Sequence, residues 1–341
     1  MAYATIIVPI IVALVATYFA TKYGIRYFRF IGLVTTDVHK QKKPLVPYSA
    51  GIPLLSGTLC GLLVYVFMNV FVFGVSYELA HVFAGITSMF IIALVGLFDD
   101  LNSVQVKVDG FVEGKKGLKR WQKPLLTILA AFPLMAIMAG TDHIFLPLVG
   151  EVELGILYPF IFVPAAIVIA SNAINMLGGF NGLEVGMGLV YTLSLGVFAL
   201  INDSTLAAVL FLTTFGALLG LARYNFPPAR ILSGDSLTYL LGAVLAVGAI
   251  IGNMEKAVLL TMMPFVIQAA LKFWSFKSNG SFASDLGAVQ RDGTIKSRYG
   301  NKVYSWTHLV MRSGRFTEIQ IVAIMMAVQA AFSVLPFLGI F

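Results

Sequence analysis

Apolar residues along this chain gather into ten long runs, separated by shorter polar stretches. The runs cover roughly residues 4–21, 50–73, 79–98, 124–140, 157–173, 183–201, 205–222, 236–252, 257–275 and 319–340. Each approaches the length of about 20 residues that an α-helix needs to cross the hydrocarbon core of a bilayer. The pattern predicts an all-α integral membrane protein with ten transmembrane helices, forming a single polytopic domain over residues 1–341. The first run, Ile6 to Ala20, has no basic residue before it and no small-residue cleavage site ahead of a polar start. It is expected to be a membrane helix and not a signal peptide.

Composition agrees with that class. Of 341 residues, 59% are hydrophobic and 11% charged, against roughly 25% charged in soluble domains; the mean hydropathy is +0.90. The single cysteine, Cys60, lies inside an apolar run. One cysteine excludes an intramolecular disulfide and a thiolate metal cluster.

Charge then orients the helices. Of the 23 basic residues, 22 fall in the odd-numbered loops, and only Lys256 is left for the even ones. Positive charge marks the cytoplasmic side, so both termini are expected outside. The expected cytoplasmic loops lie near 22–49, 99–123, 172–182, 223–235 and 276–318. Small β-hairpins are expected in three loops. One is the third, around Val108-Asp109-Gly110 and Gly114-Lys115-Lys116-Gly117. The second is the loop from Thr141 to Ile156, where Val152 and Leu154 alternate. The last is the ninth, turning at Arg291-Asp292-Gly293. The formal net charge of +7 thus reflects topology. Divided among loops and without an aromatic platform, it does not support nucleic-acid binding.

The polar motifs sit at the ends of apolar runs. Asn172-Ala173-Ile174-Asn175 leads into Gly178-Gly179-Phe180-Asn181-Gly182-Leu183-Glu184, while Asp99-Asp100 ends the third run and Gly234-Asp235-Ser236 opens the eighth. On the orientation above, all face one side of the membrane. Asparagine offers a neutral carbonyl ligand and an amide donor, which can hold a metal-bound diphosphate or a base edge without adding negative charge. Aspartates at a membrane boundary are costly unless paired, hydrated or bound to a cation. Asp99, Asp100 and Asp235 are therefore candidate ligands of Mg²⁺, a hard cation that bridges carboxylates to phosphates. Lys123 could meet an anionic phosphate or simply anchor its helix on the positive side. Asp235 could equally be a helix N-cap, and Glu184 a first-turn partner of its helix dipole.

Together these motifs resemble the polyprenyl-phosphate N-acetylhexosamine-1-phosphate transferases. The segment Gly179-Phe180-Asn181-Gly182-Leu183-Glu184 is similar to the eukaryotic and archaeal branch, where bacterial enzymes have Asp-Gly-x-Asp-Gly-Leu. That branch transfers GlcNAc-1-phosphate from UDP-GlcNAc to dolichyl phosphate. The resemblance covers nearly the whole chain and implies ten helices with cytoplasmic active-site loops. It assigns Mg²⁺, with Mn²⁺ as an alternative, to Asn175 and Asp235, and the uracil to Asn181. Asp99 and Asp100 correspond to the pair that positions or deprotonates the lipid phosphate. Lys123 matches the phosphate-contacting lysine and Asn172 the first asparagine of the turn; Asn172, Glu184 and Glu318 join Asn181 as the expected substrate-binding residues. Glu318 falls where relatives carry a His-Glu or multi-His signature.

The resemblance further implies a UDP-sugar and a polyprenyl or dolichyl phosphate as partners, with a homodimer as the assembly to test. In a prokaryote the location would be the plasma membrane, with the active site facing the cytoplasm. Three departures stand out, one being a third loop longer than that of the eukaryotic enzymes. Leu232 occupies the position where relatives often have an aromatic residue to stack on uracil. The ninth loop runs Gly280-Ser281-Phe282-Ala283-Ser284-Asp285-Leu286-Gly287 in place of an Arg-His-Arg cluster. The same chemistry on undecaprenyl phosphate, for cell-envelope glycans, is the nearer alternative. A secondary transporter is the distant one, because transporters keep polar sites near the midplane of repeated halves.

Overall fold

The computed structural model describes residues 4–74, 78–103, 105–108, 111–114, 117–119, 121–146 and 150–339. In chain order the helices are α1 (Ala4–Phe30), α2 (Gly51–Val72), α3 (Leu79–Asn102), α4 (Gln122–Ala136), α5 (Tyr158–Asn175) and α6 (Leu183–Ile201). They continue with α7 (Thr205–Asn225), α8 (Gly234–Gly252), α9 (Glu255–Thr261), α10 (Met263–Asn279), α11 (Trp306–Ser313) and α12 (Glu318–Leu338).

Among the described residues, eight of these helices are long and apolar enough to cross a membrane. The other two expected spans take different forms. α9 and α10 meet at a bend of 58°, where Pro264 opens α10. Proline removes a backbone donor and clashes with the preceding turn, so the run breaks there. α4 rises about 22 Å at about 1.5 Å per residue, short of a core about 30 Å thick. Its middle turn, Ile128–Ala131, is 3₁₀, and Met138 and Gly140 adopt positive φ just beyond its end.

Several helices outrun their apolar runs. α1 continues to Phe30 because Thr21, Ile25 and Phe28 extend the buried face of Ala13 and Thr17, while Lys22, Arg26 and Arg29 point outward. Likewise α3 runs to Asn102, so Asp99 and Asp100 lie on its last turn and do not open the loop. Asn172 and Asn175 lie on the last turn of α5.

α8 is the central helix. Its apolar window is 83% buried, and α3, α5 and α7 pack around it. Two glycines permit this closeness: a Cβ on Gly96 would overlap the Ser236 backbone, and one on Gly242 would overlap that of Ser171. Small residues let membrane helices approach backbone to backbone. α1 packs on α2 and α7, and α12 on α6. Outside, large apolar side chains such as Ile11, Phe90, Phe160, Ile169 and Phe273 are exposed, as a lipid-facing surface requires. The protein is an all-α, multi-pass integral membrane protein.

Short strands decorate the loops. β1 (Val34–Thr36) pairs antiparallel with β2 (Leu45–Pro47), a hairpin that three-residue strands leave without a periodic signal. β3 (Gln105–Val108) pairs with β4 (Phe111–Gly114), and β5 (His143–Leu146) with β6 (Gly150–Glu153), as the sequence suggested. Asp109, Gly110, Lys115 and Lys116 of the third loop lie outside the described residues. β7 (Ala288–Val289) and β8 (Thr294–Lys296) form the hairpin expected at Arg291-Asp292-Gly293. It gains a third strand, β9 (Phe316–Thr317), which leads directly into α12.

Candidate active site

The ends of α3, α4, α5 and α8 converge at one end of the bundle. Asp100 accepts hydrogen bonds from the backbone N–H groups of Asp235 (2.7 Å) and Ser236 (3.2 Å). It thus caps the N-terminus of α8 from a neighbouring helix, satisfying donors that have no partner within their own helix. The alternative reading of Asp235 as an N-cap is thereby replaced: Asp235 sits in the first turn, and the cap comes from Asp100. This leaves the Asp235 side chain for other partners.

Those partners form one cluster. Lys123 bridges two carboxylates, ion-paired with Asp99 and with Asp235 (2.6 Å). Asp99 also accepts the Leu118 N–H at 2.5 Å. The Asn175 amide donates to Asp235 (3.3 Å), and its carbonyl accepts from the Thr238 hydroxyl (2.9 Å). The carboxylates and the Asn175 carbonyl are oxygen donors of the kind that hard divalent cations take. Asp235 is the one aspartate of the cluster with an accessible side chain, 18% exposed against 2% for Asp99.

A second group gathers around the turn between α5 and α6. Gly179 and Gly182, at φ of 103° and 86°, turn the chain between α5 and α6 in a conformation that side-chain-bearing residues avoid. Glu184 accepts the Gly179 N–H (2.8 Å) and closes the turn. Asn181 is buried and held twice: its N–H donates to Glu318 (3.0 Å) and its side-chain amide to Asp37 (2.8 Å). His39 stacks on Phe180 with ring centroids 4.4 Å apart, and Lys40 pairs with Glu318.

A cavity of about 330 Å³ joins the groups, within the range typical of ligand sites. Its lining includes Asn175 and Asp235 from the first group and Asn181, Glu184 and Asp37 from the second, together with Tyr48, Leu232, Asp285 and Leu286. Burial, and then the negative charges of Asp100, Asp235, Asp99 and Glu184, hold the Tyr48 phenol well above its usual range, so it remains a hydroxyl donor. Asp285 accepts from Lys272 (2.8 Å) and Gln268 (2.9 Å), and burial raises its pKa against their pull. A larger cavity, about 680 Å³, lies at the opposite end of the bundle around Thr141, Asn202, Gly252 and Glu255, far from this chemistry.

Of the residues singled out in the sequence, Asp99, Asp100, Lys123, Asn175 and Asp235 come together, as do Asn181 and Glu318. Asn172 stays apart, spending its amide on the Val168 carbonyl of its own helix (2.8 Å). Sequence reasoning missed Asp37, His39, Tyr48 and the Lys272–Gln268–Asp285 network. The first three were hidden in a basic loop read only for its charge. Gln268 and Lys272, one helical turn apart within an apolar run, were the legible signal.

Asp37, His39 and Glu318 also form a metal-ligand triplet by type and proximity. Their oxygens are committed, however. Asp37 accepts from the His39 N–H and the Asn181 amide, and Glu318 from the Asn181 N–H and Lys40. This group is read as a hydrogen-bonded clamp.

A lipid-facing bundle whose buried acids, lysine and carboxamides gather beside a cavity at one end defines a polytopic membrane protein with an enzyme-like site. The chain belongs to glycosyl transferase family 4, whose characteristic region matches residues 82–253. It is 31% identical to a Saccharolobus solfataricus protein provisionally named UDP-N-acetylglucosamine–dolichyl-phosphate N-acetylglucosaminephosphotransferase, over 97% of this chain and 95% of that one. A Schizosaccharomyces pombe protein of the same name is 28% identical over 55% of this chain and 44% of its own. The phospho-N-acetylmuramoyl-pentapeptide-transferase of Streptococcus thermophilus is 29% identical over 76% of each chain.

Proposed function

We propose that the protein transfers a hexosamine-1-phosphate, GlcNAc-1-phosphate, from a UDP-sugar to dolichyl or another polyprenyl phosphate, releasing UMP. This would be the first membrane step of N-glycan assembly, with the site facing the cytoplasm, at the plasma membrane if the cell is prokaryotic. One observation carries the reading: Lys123 joins Asp99 to Asp235, and Asp235 lines the same cavity as the Asn181 turn. A diphosphate at Asp235 and Asn175 would place its nucleoside toward Asn181 and its sugar-linked phosphorus near Lys123.

Asp235 and Asn175 would hold Mg²⁺, with Mn²⁺ as an alternative. The donor set fits by type: a carboxylate and a carboxamide oxygen are ligands that hard cations take, and both residues line the cavity, with the Asp235 side chain accessible. A bound ion would supply charge neutralisation on the diphosphate, where catalysis of phosphoryl transfer mostly resides. Lys123 adds a fixed ammonium at the same place. Asp99 orients Lys123, and Asp100 holds the first turn of α8, which carries Asp235. A phosphate monoester is already largely dianionic at neutral pH, its second pKa being about 6, so positioning outweighs base work for this pair.

The undecaprenyl-phosphate reading is second. The match to the bacterial pentapeptide transferase covers 76% of this chain against 97% for the archaeal relative, which favours the dolichyl carrier. Incubating purified protein with a panel of UDP-sugars and both polyprenyl phosphates tests this directly. A product with the mass of dolichyl-diphosphate-GlcNAc is expected. Turnover confined to UDP-MurNAc-pentapeptide, or to none of the UDP-sugars, would refute it.

A further inference from the structure

Asn181 is held by groups far from it in sequence, on the first loop and at the start of α12. The Asp37 carboxylate accepts its side-chain amide at 2.8 Å. Asp37 is itself pinned, because its other oxygen accepts the His39 N–H at 3.1 Å. The His39 ring is in turn stacked on Phe180, the neighbour of Asn181, with planes 18° apart. The Asn181 backbone is fixed separately, by donation to Glu318.

A carboxylate only accepts hydrogen bonds, whereas a carboxamide has a donor end and an acceptor end. One N–H of its NH₂ is committed to Asp37, which fixes which end of the amide is the acceptor; among the described residues no protein donor claims the Asn181 carbonyl oxygen. Rotating the amide by half a turn would set that oxygen against an Asp37 oxygen, two acceptors with no hydrogen between them. The carboxamide is therefore locked in one orientation and offers an acceptor to whatever occupies the cavity.

The geometry points to Asp37 as the residue that makes this cavity selective for uracil over cytosine, by locking the Asn181 carboxamide with its carbonyl toward the base. Uracil presents an N–H between two carbonyls on its pairing edge. Cytosine presents a bare ring nitrogen at that place, which would face the Asn181 oxygen unpaired. A site built around a hydrogen bond rejects an analogue that cannot make it, because buried polar groups are left unsatisfied. The inference rests on the proposed placing of Asn181 against the base, and gives Asp37 a positioning role.

Replacing Asp37 by asparagine should act in a particular direction. The His39 N–H would keep the side-chain oxygen of residue 37, so the new NH₂ would face Asn181 and demand its carbonyl. The Asn181 amide would then turn its donor toward the base. Titration calorimetry of the detergent-solubilised full chain with UDP and with CDP reads this out. The wild type is expected to bind UDP at least about tenfold more tightly. In Asp37→Asn that ratio should fall to about one or below, and Asp37→Ala should lie between. Asp37→Glu, which keeps an acceptor-only group, should retain the preference, so that one misfolded variant does not decide the result.

Equal weakening of UDP and CDP in Asp37→Asn and Asp37→Ala would make the contact merely structural and overturn the inference. A preference that Asn181→Ala abolishes but the Asp37 variants keep would overturn it while sparing the base-reading role of Asn181. A wild type without preference would overturn both.

Discussion

At the residue scale, the aspartates that look alike in sequence do different work. Asp100 is buried and spends both oxygens on the first backbone donors of α8. Asp235, one residue into that helix, keeps an accessible carboxylate toward the cavity. Replacing Asp100 with alanine should lower stability by about 1–2 kcal/mol, the usual effect of losing a helix cap, and Asp100→Asn by less because an amide still accepts one bond. Melting temperature in detergent measures this, and an unchanged value would show that the cap is dispensable. On the proposed reading, Asp235→Ala should reduce transfer about a thousandfold, as should EDTA on the wild type, since a bound cation supplies several kcal/mol of charge stabilisation. Activity that survives either treatment would remove the metal from the mechanism. Asn181→Ala should instead raise the KM for UDP-sugar roughly 5- to 150-fold, matching a hydrogen bond worth about 1–3 kcal/mol. A normal KM with a collapsed kcat would move Asn181 to the reacting centre.

At the scale of elements, the ninth loop is held as a folded unit by α10 and α11. Lys272 donates to the Ala283 carbonyl and pairs with Asp285, and Thr307 donates to the Asp285 carbonyl. His308 is buried within it. Its Nδ1 accepts the Tyr304 N–H (3.3 Å), which leaves Nε2–H to donate to the Ser284 carbonyl (2.8 Å). Burial, with the Lys272 charge adding to it, lowers its pKa from 6.5 to about 4. A depressed folded-state pKa means that stability is fully present above the unfolded value and is lost as pH falls from about 6.5 toward 4. The loss is at most about 3 kcal/mol. Melting temperatures recorded from pH 7 to pH 4.5 should therefore decline, and His308→Gln should flatten that decline. Parallel curves for the two proteins would show that the acid sensitivity arises elsewhere.

At the scale of the molecule, the polar ends of α3, α5, α8 and α12 gather at one end of a bundle whose sides are apolar. The loop charges predict which side this end faces. In a Cys60→Ser background, a cysteine placed at Gly293 should react only with reagent supplied from the cytoplasmic side, and one at Thr141 only from outside. Cys60 is exposed on the apolar surface of α2, hence the background substitution. Reversed labelling would overturn the orientation and the proposed access of a cytoplasmic nucleotide. The bend of 58° between α9 and α10 and the brevity of α4 make these two segments the ones whose insertion depth the same method should map first.

Sequence alone determined the class, the helical segments and the motifs, because each is written locally. A bilayer demands about 20 apolar residues per crossing, and the segment from Asn172 to Glu184 is read within one stretch of chain. Helix ends were less legible. Thr21, Ile25 and Phe28 carry α1 past its apolar run on one buried face, and Asp99 and Asp100 belong to the helix that they seemed to terminate. Only the tertiary structure decided which polar residues share a partner. Asp100 and Asp235 are 135 positions apart, and Asp37 and Asn181 are 144 apart. Nothing local to either member of such a pair encodes the other. A buried carboxylate is tolerated only where the packing of distant helices delivers a donor to it, and that delivery depends on the close approach of α8 at Gly96 and Gly242.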